Sequence, residues 1–331
     1  MRRREFVTLF GGAVASWQLA ARAQQSTVDR RIGLLQNTSE GDPQGKIELA
    51  TLNEGLKKLG WVEGVNMRIA YRYGAGDPNK MATFAKELVA LKPDILFARS
   101  TAAVHAFQEE TTTIPILFVA VSDPVGDGFA ASLSRPGQNI TGFTNVESSV
   151  ASKWLELLKE VAPNLSQVEY IFNPPMAPSQ GRYYSNLLER AASHFSVKTI
   201  AHPVHSASDI ESAFEPFAQR PGAGLIVLPD PFIVTHRTSI IDLALRNRLP
   251  ATYAFRNMVA EGGLICYGVN LIDLYRRAAP YIDRILKGEK AGDLPIQEPV
   301  KFDLAINLKT AKALGLSVPP TLLAIADELI E

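Results

Sequence analysis

Short apolar runs alternate with longer segments of helical period along most of the chain. The first run, residues 32–35, leads into a polar turn, and apolar residues then recur on one side of a segment at Ile47, Ala50, Leu56 and Leu59, as in an amphipathic helix. The same rhythm predicts further strands at residues 66–73, 95–98, 116–121 and 140–143. Strand–helix–strand order of this kind predicts a parallel sheet covered on both faces.

A second set of alternating strands and helices begins after residue 147. Its predicted strands are short, β-branched or apolar runs at residues 168–172, 197–200, 225–228, 251–253 and 264–267. We therefore predict an α/β protein with two doubly wound parallel-sheet lobes joined by hinge crossings. The order of elements predicts an N-terminal lobe of residues 28–145 plus 269–300 and a C-terminal lobe of residues 146–268 plus 301–331.

Length and charge narrow the class of partner. The chain has 331 residues, with 34 basic and 34 acidic side chains and one cysteine. Domains of about 100–200 residues make two lobes the expected number. A net charge of zero leaves no field to gather nucleic acid or an anionic membrane. We expect a small-molecule ligand, no nucleic-acid partner, no stable membrane insertion and a monomer.

The N-terminus has the features of an export signal. Arg2, Arg3 and Arg4 precede an uncharged stretch, and Ala21 and Ala23 supply small residues at the positions that a signal peptidase reads. We predict a signal peptide over residues 1–23, cleavage after Ala23 and a periplasmic product. The arginine pair followed by a large apolar residue resembles the twin-arginine export motif. The alternative is a disordered basic tail.

Signatures of catalysis and metal binding are sparse. The sequence has no nucleophile elbow, dinucleotide fingerprint or phosphate loop. His202 and His205 are spaced like metal ligands, but Pro203 between them favours a surface loop. Cys266 lies in an apolar run and is predicted to be a buried strand residue. We predict no catalytic residue, no metal and no cofactor.

Polar residues directly after the predicted strands are the candidate ligand-binding residues, because ligands of open parallel sheets bind outside the carboxyl ends of the strands. In the first lobe these candidates are Asn37, Thr38, Ser39, Ser100, Thr101, Ser122 and Asp123. In the second lobe they are Asn173, Pro174, Asp230, Tyr253 and Tyr267.

Each lobe has one strand that ends in Asp-Pro, at Asp123 and at Asp230. Proline holds the preceding residue extended, which fixes the carboxylate at the strand tip. Such a carboxylate suits an ammonium group, hydroxyls and helix N-termini suit an anion, and Tyr253 and Tyr267 would supply flat walls. The set favours a zwitterion or a small carboxylic acid with an apolar body. The alternative role for each aspartate is a helix N-cap.

Collinear motifs carry a resemblance to a known family. Among them are Leu59-Gly60-Trp61, Ile114-Pro115-Ile116, Asp123-Pro124-Val125-Gly126, Ser134-Arg135-Pro136-Gly137, Leu228-Pro229-Asp230-Pro231 and the tail over residues 301–316. With these motifs the chain resembles the ABC transporter substrate-binding protein family whose better-known members bind tryptophan or tyrosine, with the periplasmic-binding-protein type I fold.

The resemblance implies a receptor that captures a small solute, an amino acid or a related carboxylic acid, between two lobes and delivers it to an ABC permease with a separate ATPase. Two departures stand out. Arg99-Ser100-Thr101 replaces the Gly-Thr-Pro of many relatives, which we expect to place Arg99 near the cleft mouth. The turn after the first strand, residues 36–39, is more polar than an aromatic ligand demands. Both shift the expected preference toward a polar or acidic ligand.

Two other functions fit the fold class. An exported α/β hydrolase would use Asp123 or Asp230 as base, but the sequence shows no activated nucleophile beside either. A transcription regulator of the same fold would need DNA-binding helices at the N-terminus, where the predicted export signal lies.

Overall fold

The computed structural model describes residues 29–147, 149–216 and 220–331, so the predicted signal peptide lies outside the described residues. The first sheet contains five parallel strands in the order β2-β1-β3-β4-β5. These strands are β1 (Arg30–Gln36), β2 (Met67–Tyr73), β3 (Ile95–Arg99), β4 (Ile116–Val121) and β5 (Ile140–Thr144). Strands β3, β4 and β5 are buried along their whole length, as expected for a sheet covered on both faces.

Three helices connect the strands of the first sheet, and each begins at a polar cap. They are α1 (Pro43–Lys58), α2 (Pro78–Ala90) and α3 (Thr101–Glu110). The side chains of Asp42, Asp77 and Ser100 accept backbone N–H groups of the first turns. Proline follows the two aspartates and fits the first helical position, where no hydrogen bond is lost.

The second sheet contains seven strands in the order β12-β11-β10-β9-β8-β6-β7. The strands are β6 (Gln167–Phe172), β7 (Lys198–Pro203), β8 (Ala223–Val227), β9 (Ala251–Tyr253), β10 (Ile265–Val269), β11 (Phe302–Asn307) and β12 (Glu328–Ile330). Strand β11 runs antiparallel to β10, and the other pairs are parallel. Cys266 is fully buried in β10, as predicted.

The remaining helices lie between these strands and after β5. They are α4 (Val150–Val161), α5 (Arg182–Phe195), α6 (Ala207–Phe214), α7 (Pro231–Thr235), α8 (Arg237–Arg246), α9 (Arg256–Ala260), α10 (Leu271–Leu286), α11 (Leu308–Ala313) and α12 (Pro320–Ile325). Within the described part of the chain, no helix combines the length and apolar character needed to cross a bilayer.

Helix α10 follows β10 of the second sheet but packs on α1 and β4 of the first. The Tyr275 ring lies 5.5 Å from the Phe97 ring, and a Cβ at Gly55 would lie only 2.8 Å from that of Ala279. The chain then returns to the second sheet as β11 and β12. The predicted fold class, two parallel-sheet lobes joined by several crossings, is confirmed.

One local prediction is wrong. His202 and Pro203 belong to strand β7 rather than to a surface loop. The His202 Nε2 atom lies 2.6 Å from Oε2 of Glu169, which is fully buried in the neighbouring strand β6. Among the described residues, no group of three or more potential ligands is placed to hold a metal ion.

Candidate functional site

Asn37 and Thr38 lie at the carboxyl end of β1, where the chain turns toward α1. Both are buried. The Asn37 backbone carbonyl accepts the Gly76 N–H at 2.9 Å, and its side-chain Oδ1 accepts a hydrogen bond from Nη1 of Arg99. The hydroxyl of Thr38 is buried and has no hydrogen-bond partner among the described residues. The Thr38 hydroxyl, which can donate or accept a hydrogen bond, is therefore free to bind another molecule at this strand tip.

Arg99 does not stand near the cleft mouth, so that prediction is wrong. It is 3% exposed, and Glu48 on α1 is fully buried against it. Arg99 Nε lies 2.8 Å from one oxygen of Glu48, and Nη2 lies 3.1 Å from the other. Burial alone would lower the pKa of Arg99, but the Glu48 carboxylate raises it above its usual value. The Glu48 carboxylate therefore neutralises the positive charge of the Arg99 guanidinium, which also donates a hydrogen bond to Asn37.

Ser100 and Thr101 follow β3, and both are buried. The Ser100 backbone has a φ of 105°, a region that favours glycine, while its side chain caps α3. Its N–H donates to the Val119 carbonyl at 3.0 Å, which ties this strained tip to the next strand. Strain of this kind persists where the surrounding structure fixes it and is concentrated at functional sites.

Ser122, after β4, joins the two lobes through a hydrogen-bonded chain. Its hydroxyl donates to Asn145 Oδ1 at 2.9 Å and lies 2.9 Å from the Tyr184 hydroxyl of α5 in the second lobe. Asn145 follows β5, and its Nδ2 is buried with no partner among the described residues. Burial raises the pKa of Tyr184 well above its usual value, so the phenol stays protonated.

Asn173 and Asp230 form the corresponding pair in the second lobe. Asp230 is fully buried and caps α7, with Oδ1 accepting the N–H groups of Phe232 and Ile233 and Oδ2 accepting that of Asn173. Burial raises the pKa of Asp230 to about 7, opposed by these hydrogen bonds. Asn173 Nδ2 donates to the Val204 carbonyl, and the buried Oδ1 of Asn173 has no partner in the described part of the chain. The N-cap alternative for Asp230 is therefore observed.

The other predicted site residues lie at different places. Ser39 lines an outer groove beside β2, Asp123 lines a groove with Arg182 and Arg190 and caps its own turn, and Pro174 lines a third groove of about 630 Å³ between the lobes. It is the largest of these three grooves, yet the buried strand tips do not line it.

The two predicted tyrosine walls make their contacts within the second lobe. Tyr253 is 2% exposed, and its ring packs so close to Gly263 that a Cβ there would lie 2.7 Å from it. Tyr267 is half-buried, with its ring stacked on Phe302 at 5.3 Å, and its backbone carbonyl accepts the Trp154 indole N–H.

Three further contacts bring the lobes together. Arg237 at the start of α8 forms a 2.7 Å ion pair with Asp42, the cap of α1, and the two side chains are 11% and 6% exposed. Asp127 accepts the Ser179 N–H at 2.6 Å. Gly76 lies against Thr235 so closely that a Cβ would lie 2.8 Å from its hydroxyl oxygen. The lobes are closed on each other.

Several strand tips carry buried polar atoms that lack hydrogen-bond partners among the described residues. Thr38, Asn145 and Asn173 present buried polar atoms without partners, and they come from the ends of β1, β5 and β6. Buried polar groups are normally satisfied, so unpartnered ones need an explanation. Donors and acceptors of this kind suit a polar molecule that carries complementary hydrogen-bonding groups.

A family model described as "ABC transporter substrate binding protein" matches residues 41–330. The chain belongs to this family. Its members are solute-binding proteins, not enzymes, and they bind small molecules and work with ABC transporters. The hydrolase alternative receives no support. Proteins of this kind are typically extracytoplasmic.

Three proteins similar to this substrate-binding protein illustrate the family, and the names of two of them include a ligand. A tyrosine-binding protein of Clostridioides difficile is 27% identical over 263 residues, which is 80% of this chain and 75% of that protein. A conserved domain protein of Vibrio cholerae has a solved structure with a TM-score of 0.84 and 27% identity, covering 91% of this chain and 99% of that one. A domain from Streptococcus pneumonia solved with L-Trp gives 0.84 and 24%, covering 91% and 100%.

Sequence reasoning missed four residues of the site: Asn145, Tyr184, Arg237 and Glu48. Asn145 carries a signal similar to that of the predicted residues, since it is a polar residue two positions after the predicted strand at residues 140–143. The other three lie on helices. Nothing in their local sequence distinguishes them from ordinary helix residues, because their roles depend on which helix faces the other lobe.

Proposed function

We propose that this substrate-binding protein captures an amino acid between its two lobes and passes it to a permease served by a separate ATPase. One observation carries the ligand class. Within residues 29–147, 149–216 and 220–331, Asn145 Nδ2 is a buried donor without an acceptor, and Asn173 Oδ1 is a buried acceptor without a donor. Buried polar groups without partners cost free energy, so a molecule with complementary groups is favoured there.

An amino acid has both complementary groups. Its carboxylate accepts from Asn145 Nδ2, and its ammonium donates to Asn173 Oδ1, with the Thr38 hydroxyl available to either. The two asparagines belong to one neighbourhood, since the Ser122 hydroxyl connects Asn145 to Tyr184, and Asp230, which acts on the pKa of Tyr184, accepts the Asn173 N–H. The names of the relatives support amino acids and make tyrosine and tryptophan the first candidates.

We also propose the predicted setting of this activity. Residues 1–23 act as an export signal cleaved after Ala23, and the mature chain works in the periplasm as a monomer. The N-terminal lobe consists of residues 28–145 plus 269–300, and the C-terminal lobe of residues 146–268 plus 301–331. The packing of α10 on α1 and the pairing of β11 with β10 support this division.

The test is a panel of the common amino acids, aromatic acids and small peptides, measured by thermal shift and then by calorimetry. We expect one class of amino acid to raise the melting temperature by mass action on the native state, without turnover. Asn145→Ala and Asn173→Ala should each weaken binding by about 1–3 kcal/mol, because each removes a hydrogen bond to a charged ligand group.

Asn247→Ala is the matched control, since the Asn247 side chain donates a hydrogen bond to the Leu243 carbonyl near the end of α8, away from the strand tips of the proposed site. Its affinity should equal that of the unmodified protein. If no amino acid shifts the melting temperature, or if both site variants bind like the control, the proposal is wrong. A growing product peak in the panel would favour an enzyme instead.

A further inference from the structure

The Arg99–Glu48 ion pair lies directly behind the proposed site. Arg99 Nη1 donates to the side chain of Asn37, a predicted site residue at the tip of β1. Glu48 holds the guanidinium through both of its oxygens, at 2.8 and 3.1 Å. Arg99 is 3% exposed and Glu48 is fully buried, so water screens neither charge.

The charges nearest this strand tip are compensated on the protein itself. Glu48 neutralises Arg99, and Arg237 is shared between Asp42 of the first lobe and Glu261 of the second. Among the described residues, the unpartnered groups at these tips include the hydroxyls of Thr38 and Thr144 and the amides of Asn145 and Asn173, none of which carries a charge. Among the residues that the structure describes, these strand tips therefore offer hydrogen bonds but no unpaired positive charge.

We propose that Glu48 determines the charge class of the ligand by compensating Arg99, so that the site accepts a net-neutral amino acid and rejects one with a second carboxylate. This inference rests on the proposed function. A second carboxylate would lose its water in the closed cleft without gaining an unpaired cation, and burial of an unpaired charge is costly. With Glu48 neutral, the positive charge of Arg99 becomes available one side chain away.

The experiment uses two pairs of ligands that differ only in one charge: glutamine with glutamate, and para-carbamoylphenylalanine with para-carboxyphenylalanine. Calorimetry on the full mature chain gives the ratio of dissociation constants within each pair. We expect the unmodified protein to bind the amide member at least about tenfold more tightly. Glu48→Gln should reduce this ratio by about tenfold or more, because Arg99 then attracts the added carboxylate.

Two further variants separate charge from shape and from loss of folding. Arg99→Met combined with Glu48→Gln removes both charges, so its ratio should equal that of the unmodified protein. Arg99→Gln alone leaves Glu48 uncompensated, so its ratio should rise by about tenfold. Cooperative thermal unfolding establishes that each variant is folded before its ratio is used.

The outcomes are distinct. A folded Glu48→Gln protein that binds the amide member with an unchanged ratio overturns this inference and leaves the proposed function intact. If Glu48→Gln does not fold, a ratio unchanged in Arg99→Gln has the same meaning. If neither single variant folds, equal affinities of the unmodified protein for both members overturn the inference. Absence of binding by any amino acid overturns the proposed function, and this inference with it.

Discussion

The strand tips of the two lobes bury charge in different ways. In the first lobe, Arg99 and Glu48 neutralise each other as a side-chain ion pair. In the second lobe, the Asp230 carboxylate forms no ion pair within the described part of the chain and accepts hydrogen bonds from three backbone N–H groups. Hydrogen bonds from the backbone stabilise a charge only in part, and burial still raises the pKa of Asp230 to about 7.

This difference separates the two lobes by their response to pH and to mutation. Removing either partner of a buried ion pair destabilises the fold, because the other partner is left buried and charged. A buried carboxylate that is bound only by N–H groups can instead take up a proton, so its charge changes with pH. The first lobe should therefore be the more sensitive to substitution, and the second the more sensitive to pH near neutrality.

The largest effect is expected from breaking the ion pair. Arg99→Met should lower the free energy of unfolding by about 3–5 kcal/mol, because Glu48 is then buried without a cation. Arg99→Met with Glu48→Met should recover most of that loss, since well-packed apolar residues often replace a buried pair at little cost. Urea unfolding at neutral pH measures both.

Arg30→Met provides the matched control for this pair. Arg30 and Asp94 are each 31% exposed, and a solvent-exposed pair contributes only about 0–1 kcal/mol. If Arg99→Met cost no more than Arg30→Met, the first lobe would not depend on internal charge compensation.

The next effect concerns Asp230 and the pH dependence of stability. Its folded pKa lies above the unfolded value of 3.8, so the folded state holds the proton more tightly, and stability falls as pH rises from 3.8 to about 7. Asp230→Asn cannot ionise. Relative to this variant, the free energy of unfolding of the unmodified protein should fall by at most about 4 kcal/mol between pH 3.8 and about pH 7. Above that range, the difference in free energy of unfolding between the two proteins should stay constant.

Unfolding curves of both proteins between pH 4 and pH 8 (about the window in which the group titrates) supply the measurement. The difference between the two proteins is the informative quantity, because the other titrating groups are common to both. Parallel pH profiles would contradict the role of Asp230 and remove the contrast between the lobes.

The smallest effect is expected from the charge that the lobes share. Arg237→Gln removes the 2.7 Å contact to Asp42, which exists only when the lobes meet. Losing a contact specific to the closed form shifts the equilibrium toward the open form. The affinity for the ligand should fall by about 1 kcal/mol, mainly through faster dissociation. Stopped-flow release of the ligand measures it.

Arg256→Gln is the control for this prediction, since Arg256 pairs with Glu328 inside the second lobe and is about half exposed. Its dissociation rate should not change. Equal dissociation rates in the two variants would show that the contact between Arg237 and Asp42 does not contribute to closure.

Much of this architecture was predictable from the sequence. The alternation of apolar runs and helical segments gave the parallel strands, because burial on both faces requires continuous apolar strands. The rule that ligands bind at the carboxyl ends of strands led to Asn37, Thr38, Ser122 and Asn173, which the structure places at buried tips. Strand β11 was not predicted to be antiparallel, since direction depends on which edge of the sheet the returning chain meets.

The side-chain roles were less predictable. Arg99 was expected near the cleft mouth, but it is buried in an ion pair with Glu48, which lies 51 positions earlier in the chain. Tyr253 was expected to be a wall of the site, and its ring instead packs on Gly263 within the second lobe. Both outcomes depend on helix packing that joins segments distant in sequence.

The sequence by itself determined the family, the class of fold and the strand ends at which polar residues gather, because these follow from local periodicity and from collinear motifs. Only the tertiary structure decided which of these polar atoms form hydrogen bonds or ion pairs within the protein and which remain unpartnered among the described residues. That division depends on long-range partners such as Glu48 for Arg99 and Tyr184 for Ser122. A hydrogen bond or ion pair forms where two groups meet in space, and the separation of residues along the chain does not fix that meeting.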